Sequence, residues 1–236
     1  MAKHKAEAYM SVGEQAAGIT FFLIYLFVLP FAVGPIFRFA AQLTGKTLSA
    51  AMRDMIYYYT LFAATIVIFH GYLARTTRAL GENFAGVLKT LLTGLVALYG
   101  LNELVFRLTR ALVNNHTNLN NVSISAQIHT APRLTALIVI FLAPFVEEVL
   151  FRGLVFGNLR SRSRALAYTA SCLLFALLHV WQFAVVRRDM TYFWLMVQYL
   201  VPGLVLAWAY DRTGTLWTSI GLHAAVNALS VWSLWK

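Results

Sequence analysis

The stretch Ala143-Pro-Phe-Val-Glu-Glu-Val-Leu-Phe-Arg152 places two adjacent carboxylates and a guanidinium inside an apolar run long enough to cross a membrane. An ionisable side chain near a bilayer centre costs at least about 2–3 kcal/mol, so Glu147, Glu148 and Arg152 mark a functional site by default. Helix geometry divides the work among them. Glu148 and Arg152 are four apart, share one face and can form an ion pair. Glu147 points about 100° away from Glu148, which leaves it without a local cation. Glu147 is therefore expected to do chemistry, and the Glu148–Arg152 pair to hold the helix in place. The competing expectation is a purely structural polar knot between helices.

Composition sets the environment of that stretch. Of 236 residues, 60% are hydrophobic and only 12% charged, and the mean hydropathy is +0.68. A soluble domain has nearer half apolar and a quarter charged residues, so the chain reads as an all-α, polytopic membrane helix bundle. The net charge of +10 invites a nucleic-acid partner, which the distribution of charge excludes. The basic residues sit mainly in short links between apolar runs, where they orient helices and meet anionic lipid. Cys172 is the only cysteine, which removes intrachain disulfides and thiolate metal clusters. It lies in an apolar run and reads as a small buried hydrophobe; His179, two turns on, is its one candidate activator for a cysteine-protease reading.

Residues 1–17 read as a short extramembrane lead, without a cleavable signal peptide, and seven candidate spans follow. They are expected at about 18–40, 55–75, 84–106, 134–157, 165–186, 191–210 and 215–235. Pro30 and Pro35 are expected to kink the first. Glu103 and Arg107 form an i,i+4 pair near the end of the third, and His70 in the second reads as a packed or hydrogen-bonded residue. Residues 109–133 break the pattern: Asn114-Asn-His-Thr-Asn-Leu-Asn-Asn121 reads as an exposed loop, with weak glycosylation sequons at Asn115 and Asn121. The loop divides anchor helices and polar loop (1–133) from a motif-bearing core (134–236), within one membrane domain.

Two further polar intrusions follow the glutamates: Phe175-Ala-Leu-Leu-His179 in the fifth span and His223-Ala-Ala-Val-Asn227 in the seventh. His223 and Asn227 are i,i+4 and share a face. Arg160, Arg162 and Arg164 close one link and Arg212 another on the same side, so depth can be measured from them. Glu147 lies about 20 Å and His179 about 22 Å along their helices from that surface, His223 about 16 Å and Asn227 about 22 Å. Unrelated interface polars would scatter in depth, so the common layer favours one site.

Glu147-Glu148-x-x-x-Arg152, Phe175-x-x-x-His179 and His223-x-x-x-Asn227, in that order on separate apolar helices, resemble the CPBP family of intramembrane endopeptidases, which includes CAAX prenyl and bacteriocin-processing types. Asp211-Arg-Thr-Gly-Thr-Leu-Trp-Thr-Ser-Ile-Gly-Leu-His223 resembles the family's lead into its last motif. The match covers roughly 134–236. Read from the residues, Glu147 can act as base, His179 can hold the same water or pass a proton to the leaving amine, and His223 and Asn227 can donate to an oxyanion. The resemblance implies the same assignment, with Glu148, Arg152 and Phe175 supporting. No cofactor is expected. The rival within catalysis is a zinc metalloprotease using Glu147, His179 and His223, disfavoured because the chain has no HExxH helix and Asn227 is an uncommon zinc ligand. Outside catalysis stand a transporter or channel and an idle peptide-binding scaffold. The expected partners are membrane lipid and a membrane-associated peptide or protein substrate, lipidated where the host prenylates proteins. The chain's own end, Ser233-Leu-Trp-Lys236, lacks a CAAX cysteine. The expected location is a bacterial inner (plasma) membrane, with the Arg160–Arg164 link on the cytoplasmic side.

Overall fold

The structure, a computed structural model, describes residues 9–112 and 119–235. Its helices are α1 (Val12–Thr44), α2 (Ala50–Glu82), α3 (Phe84–Leu112), α4 (Leu119–Ile128), α5 (Pro132–Arg160), α6 (Arg164–Arg187), α7 (Met190–Thr213) and α8 (Leu216–Trp235). Among the described residues six helices are long and apolar enough to cross a membrane: α1, α2, α3, α5, α6 and α7. α8, expected as a seventh span, is 20 residues long but falls short in apolarity. His223, Asn227 and its small polar residues, the features that make it a candidate site helix, are what lower it. The chain is a multi-pass integral membrane protein. Apolar side chains such as Phe39, Val67, Val96, Phe141 and Val186 face outward, as a lipid-facing surface requires.

α5 is the axis of the bundle. α8 packs along it, α6 lies against its second half, and α1 and α2 cover the remaining flank. α7 fills the space between α3 and α6. Two fully buried rings, Phe151 and Phe175, meet edge to face at 5.4 Å at the centre of this packing.

Two helices begin earlier or run differently from the sequence expectation. α1 starts at Val12, inside the expected lead, because Ser11 and Glu14 form a capping box: Ser11 Oγ accepts from the Glu14 N–H (3.2 Å) and Glu14 Oε2 from the Ser11 N–H (2.7 Å). Glu14 then reaches across to α2. It accepts from the Tyr72 N–H, and Arg75 Nη2 donates to its Oε2 at 2.6 Å. α2 departs from helical dihedrals at Phe69 (φ −109°, ψ 19°), and this break leaves the Tyr72 N–H to an outside acceptor. Pro30 sits just after a π turn, Ile24–Val28, whereas Pro35 lies within the α-helical Leu29–Thr44.

The expected loop 109–133 is largely helical where it is described. α3 runs to Leu112, and α4 seats Ile124 and Ile128, four apart, against Val231 of α8. Of the asparagines that suggested a loop, Asn120 falls within this short helix, and Asn114, Asn115 and Asn118 lie outside the described residues. Asn121 is part of α4, and the Asn115 sequon lies outside the described residues.

The first three spans, to which no motif could be matched, brace the motif-bearing half. Thr76 of α2 accepts the Leu216 N–H at 2.7 Å, satisfying the first donor of α8, and the Thr215 hydroxyl donates to the Thr76 carbonyl at 2.8 Å. Trp217 Nε1 donates to Thr77 Oγ1 at 2.8 Å, and Asn83 Nδ2 to the Thr213 carbonyl at 3.3 Å. At the same end Asp211 of α7 pairs with Arg160 (2.7 Å) and Arg164, and accepts from the Tyr168 hydroxyl (3.1 Å). The two basic links used to gauge depth therefore do lie side by side.

Candidate active site

The glutamate turn belongs to a helix that changes register on both sides of it. α5 is α-helical over Pro132–Leu137, π over Ile138–Leu142, α over Ala143–Glu148, π over Val149–Phe156 and α again over Gly157–Arg160. The first π turn precedes Pro144, whose ring would otherwise meet the carbonyl four residues back. Such turns are frequent at functional sites, because they re-aim side chains that a regular helix would carry round.

Glu148 and Arg152 form the expected ion pair, Nη1 to Oε1 at 3.0 Å, with both side chains wholly buried. Arg152 also donates from Nη2 to the Gly203 carbonyl of α7 (3.1 Å) and stacks over the Phe175 ring at 4.4 Å. Glu148 Oε1 has a second partner, His223 Nδ1, at 2.8 Å. A carboxylate already engaged by a guanidinium accepts here, so Nδ1 of His223 carries the proton. The ring then turns Nε2 towards Glu147, 4.0 Å from Oε2. That Glu147 oxygen is buried and makes no hydrogen bond among the described residues. Asn227, one turn beyond His223, donates from Nδ2 to the Val139 carbonyl at 2.8 Å.

His179 Nδ1 lies 2.8 Å from the Phe175 carbonyl. A carbonyl only accepts, so Nδ1–H is the donor and the neutral ring keeps a bare Nε2. Tyr199 stacks on one face of the ring (centroids 4.4 Å, 23°) and Phe175 lies tilted at 4.7 Å, which fixes its direction. Phe175 in turn meets the His223 ring at 5.9 Å. One aromatic side chain thus touches Arg152, His179 and His223.

Glu147 and His179 line one cavity of about 350 Å³. His223 and Asn227 are not among its lining residues; they hydrogen-bond to α5 at Glu148 and at the Val139 carbonyl, and His223 Nε2 stands 4.0 Å from Glu147 Oε2 at the cavity's edge. The cavity also takes in Asp54, Tyr57 and Tyr58 of α2, Tyr25 of α1 and Gln182 of α6, and Gln127 of α4 donates to Asp54 at 3.0 Å. None of these was singled out from sequence. Asp54 was the one with a signal, an acid inside an apolar helix; tyrosines in such helices look like ordinary core. A second cavity, about 420 Å³ between α3, α6 and α7, presents only apolar surface and lies away from these residues. Among the described residues no three His, Cys, Asp or Glu side chains gather closely enough to hold a metal ion, so Glu147, His179 and His223 as arranged do not fit a three-ligand zinc centre.

His70 and the Glu103–Arg107 pair are accounted for locally. Exposed His70 is bonded through Nδ1 to the Val67 carbonyl (3.1 Å), and exposed Arg107 pairs with Glu103 at 2.7 Å. Cys172 is buried where Gly203 lets α7 approach α6 closely.

Residues 129–229 match the type II CAAX prenyl endopeptidase Rce1-like family. This segment is similar to that family and covers less than half of the chain. It holds the glutamate turn, His179, His223 and Asn227, and it opens at His129, just after α4. The chain is also similar to UPF0177 protein YxdF of Lactococcus lactis subsp. lactis (strain IL1403), the match being 28% identical over 86 residues. That alignment takes in 36% of this chain and 42% of the relative, so the chain spans less than half the length of the curated relative it matches. No solved structure matches the chain. The cavity is completed from outside the matched segment, by Tyr25, Asp54, Tyr57 and Tyr58.

Proposed function

We propose that the chain is a membrane-embedded endopeptidase that hydrolyses a peptide bond of a membrane-associated peptide, with Glu147 as general base. One observation carries the reading. Of two adjacent glutamates, Glu148 is locked by Arg152 and His223, while Glu147 opens with His179 onto a shared cavity. The Rce1-like segment supports the reaction class.

Water held between the Glu147 carboxylate and the bare Nε2 of His179 has both hydrogens accepted and its oxygen lone pair free. Glu147 takes one proton as that oxygen adds to the peptide carbonyl carbon. The tetrahedral intermediate then loses its C–N bond, and the same proton passes from Glu147 to the leaving amine. His223, held through Nδ1 by Glu148, meets the oxyanion with Nε2–H when its ring carries a second proton. The substrate is a peptide presented at the membrane, and a lipidated one is the class the family's name implies.

Mass spectrometry of membranes from cells carrying wild type or Glu147→Gln tests the function directly. The expected result is accumulation of at least one uncleaved peptide in the variant; identical peptide sets overturn it. The mechanism uses no metal, so purified active protein is expected to contain well below one zinc per chain by elemental mass spectrometry. Stoichiometric zinc, with activity lost on chelation, overturns that part.

A further inference from the structure

The π turn that leads α5 into the site creates a hydrogen-bond deficit. The Ala143 N–H reaches back five residues to the Ile138 carbonyl, so it is not available to Val139, its α-helical partner. In the π register the Val139 carbonyl would receive the N–H of residue 144, which is proline and has none. Both main-chain donors are gone, so the carbonyl has to find its donor outside its own helix. The donor that arrives is a side chain from another helix, Asn227 Nδ2, at 2.8 Å.

α8 therefore grips α5 on both sides of the proline: Asn227 holds Val139 before it, and His223 holds Glu148 after it. Glu147 lies between the two grips. Val139 and Ile138 also form part of the wall of the cavity that Glu147 enters. We infer that Asn227 is a positioning residue: its amide stands in for the N–H that Pro144 lacks, fixes the π turn, and so sets the rotation with which Glu147 faces the cavity. This rests on the reading of Glu147 as the base. It gives one of the two Nδ2 hydrogens of Asn227 a task other than the oxyanion role expected from its spacing with His223.

A four-member cycle of wild type, Pro144→Ala, Asn227→Ala and the double variant tests it, because alanine at 144 restores the missing main-chain donor. Asn227→Ala alone is expected to lower kcat with KM little changed, and to lower the thermal midpoint in detergent. In the Pro144→Ala background the same substitution is expected to cost about tenfold less in kcat and to leave the midpoint nearly unmoved, the signature of coupled neighbours. An equal kcat loss in both backgrounds, with no coupling in the midpoint, is what an oxyanion donor would give and overturns the inference. Should Asn227→Ala fail to fold, Asn227→Ser, which keeps a donor, is carried through the same cycle and judged the same way. Glu147→Gln separates the two readings. If it cleaves normally while Pro144 and Asn227 remain coupled in the midpoint, the base assignment fails and the support of the π turn stands.

Discussion

Glu147→Gln is expected to slow peptide hydrolysis by about 10²–10⁴-fold while leaving the fold intact, the span that loss of a general base commonly gives. The substitution is isosteric, Oε2 of Glu147 makes no hydrogen bond among the described residues, and His223 Nε2 stands 4.0 Å from it. Little packing or pairing is therefore at stake. The control is one residue away. Glu148→Gln is expected to reduce stability first, because it weakens the contacts to Arg152 and His223 at 3.0 and 2.8 Å. His179→Ala is expected to lower the rate by a similar factor to Glu147→Gln, and the double variant to lose little more, since both residues act on one water. Cleavage rate per folded molecule, with far-ultraviolet circular dichroism and a thermal midpoint on each variant, measures both quantities. Full activity in Glu147→Gln would remove the base; additive losses in the double variant would mean the two residues do not share a water.

What could be read from sequence and what could not divide along a physical line. The Glu148–Arg152 pair was legible because i,i+4 spacing is a local property of a helix. The meeting of three helices at one depth was legible because basic residues mark the membrane surface, and His223 does reach Glu148 across 75 positions. The register changes in α5 were not legible in detail. Pro144 announces a disturbance, but whether the helix kinks, breaks or widens into a π turn depends on a donor on α8 that no local pattern reveals. For the same reason spacing showed that His223 and Asn227 share a face, but not that each would hydrogen-bond to α5. The loop expectation for 109–133 failed over Leu119–Ile128 because polar composition outweighed a short apolar spacing, Ile124 and Ile128, whose partner Val231 lies far along the chain. Likewise the capping box at Ser11 and Glu14 was present in the sequence, yet a polar lead was the simpler reading until Tyr72 and Arg75 supplied Glu14 with partners.

Arg152→Met is expected to lower stability by about 3–5 kcal/mol, the cost of leaving a buried carboxylate without its cation. Arg152 has no exposed surface and is the largest fully buried side chain of the protein's described residues. It joins three helices at once: Nη1 to Glu148 on α5, Nη2 to the Gly203 carbonyl on α7, and its guanidinium face on Phe175 of α6. Arg152→Lys keeps the charge, but a single ammonium cannot reproduce the planar fork that serves Glu148 and Gly203 together, so it is expected to recover only part of the loss. The double variant Glu148→Gln/Arg152→Met removes both charges and is expected to regain most of it, because desolvating two ions offsets much of what their pairing contributes. Its activity should nonetheless stay low. Glutamine at 148 still accepts from His223 Nδ1, but a neutral amide holds the ring less firmly than a carboxylate does. Denaturation midpoints in detergent, set beside cleavage rates, test both halves. If Arg152→Met is as stable as wild type, the buried pair is not what fixes the glutamate turn; if the double variant is fully active, the charge on Glu148 has no part in how His223 works.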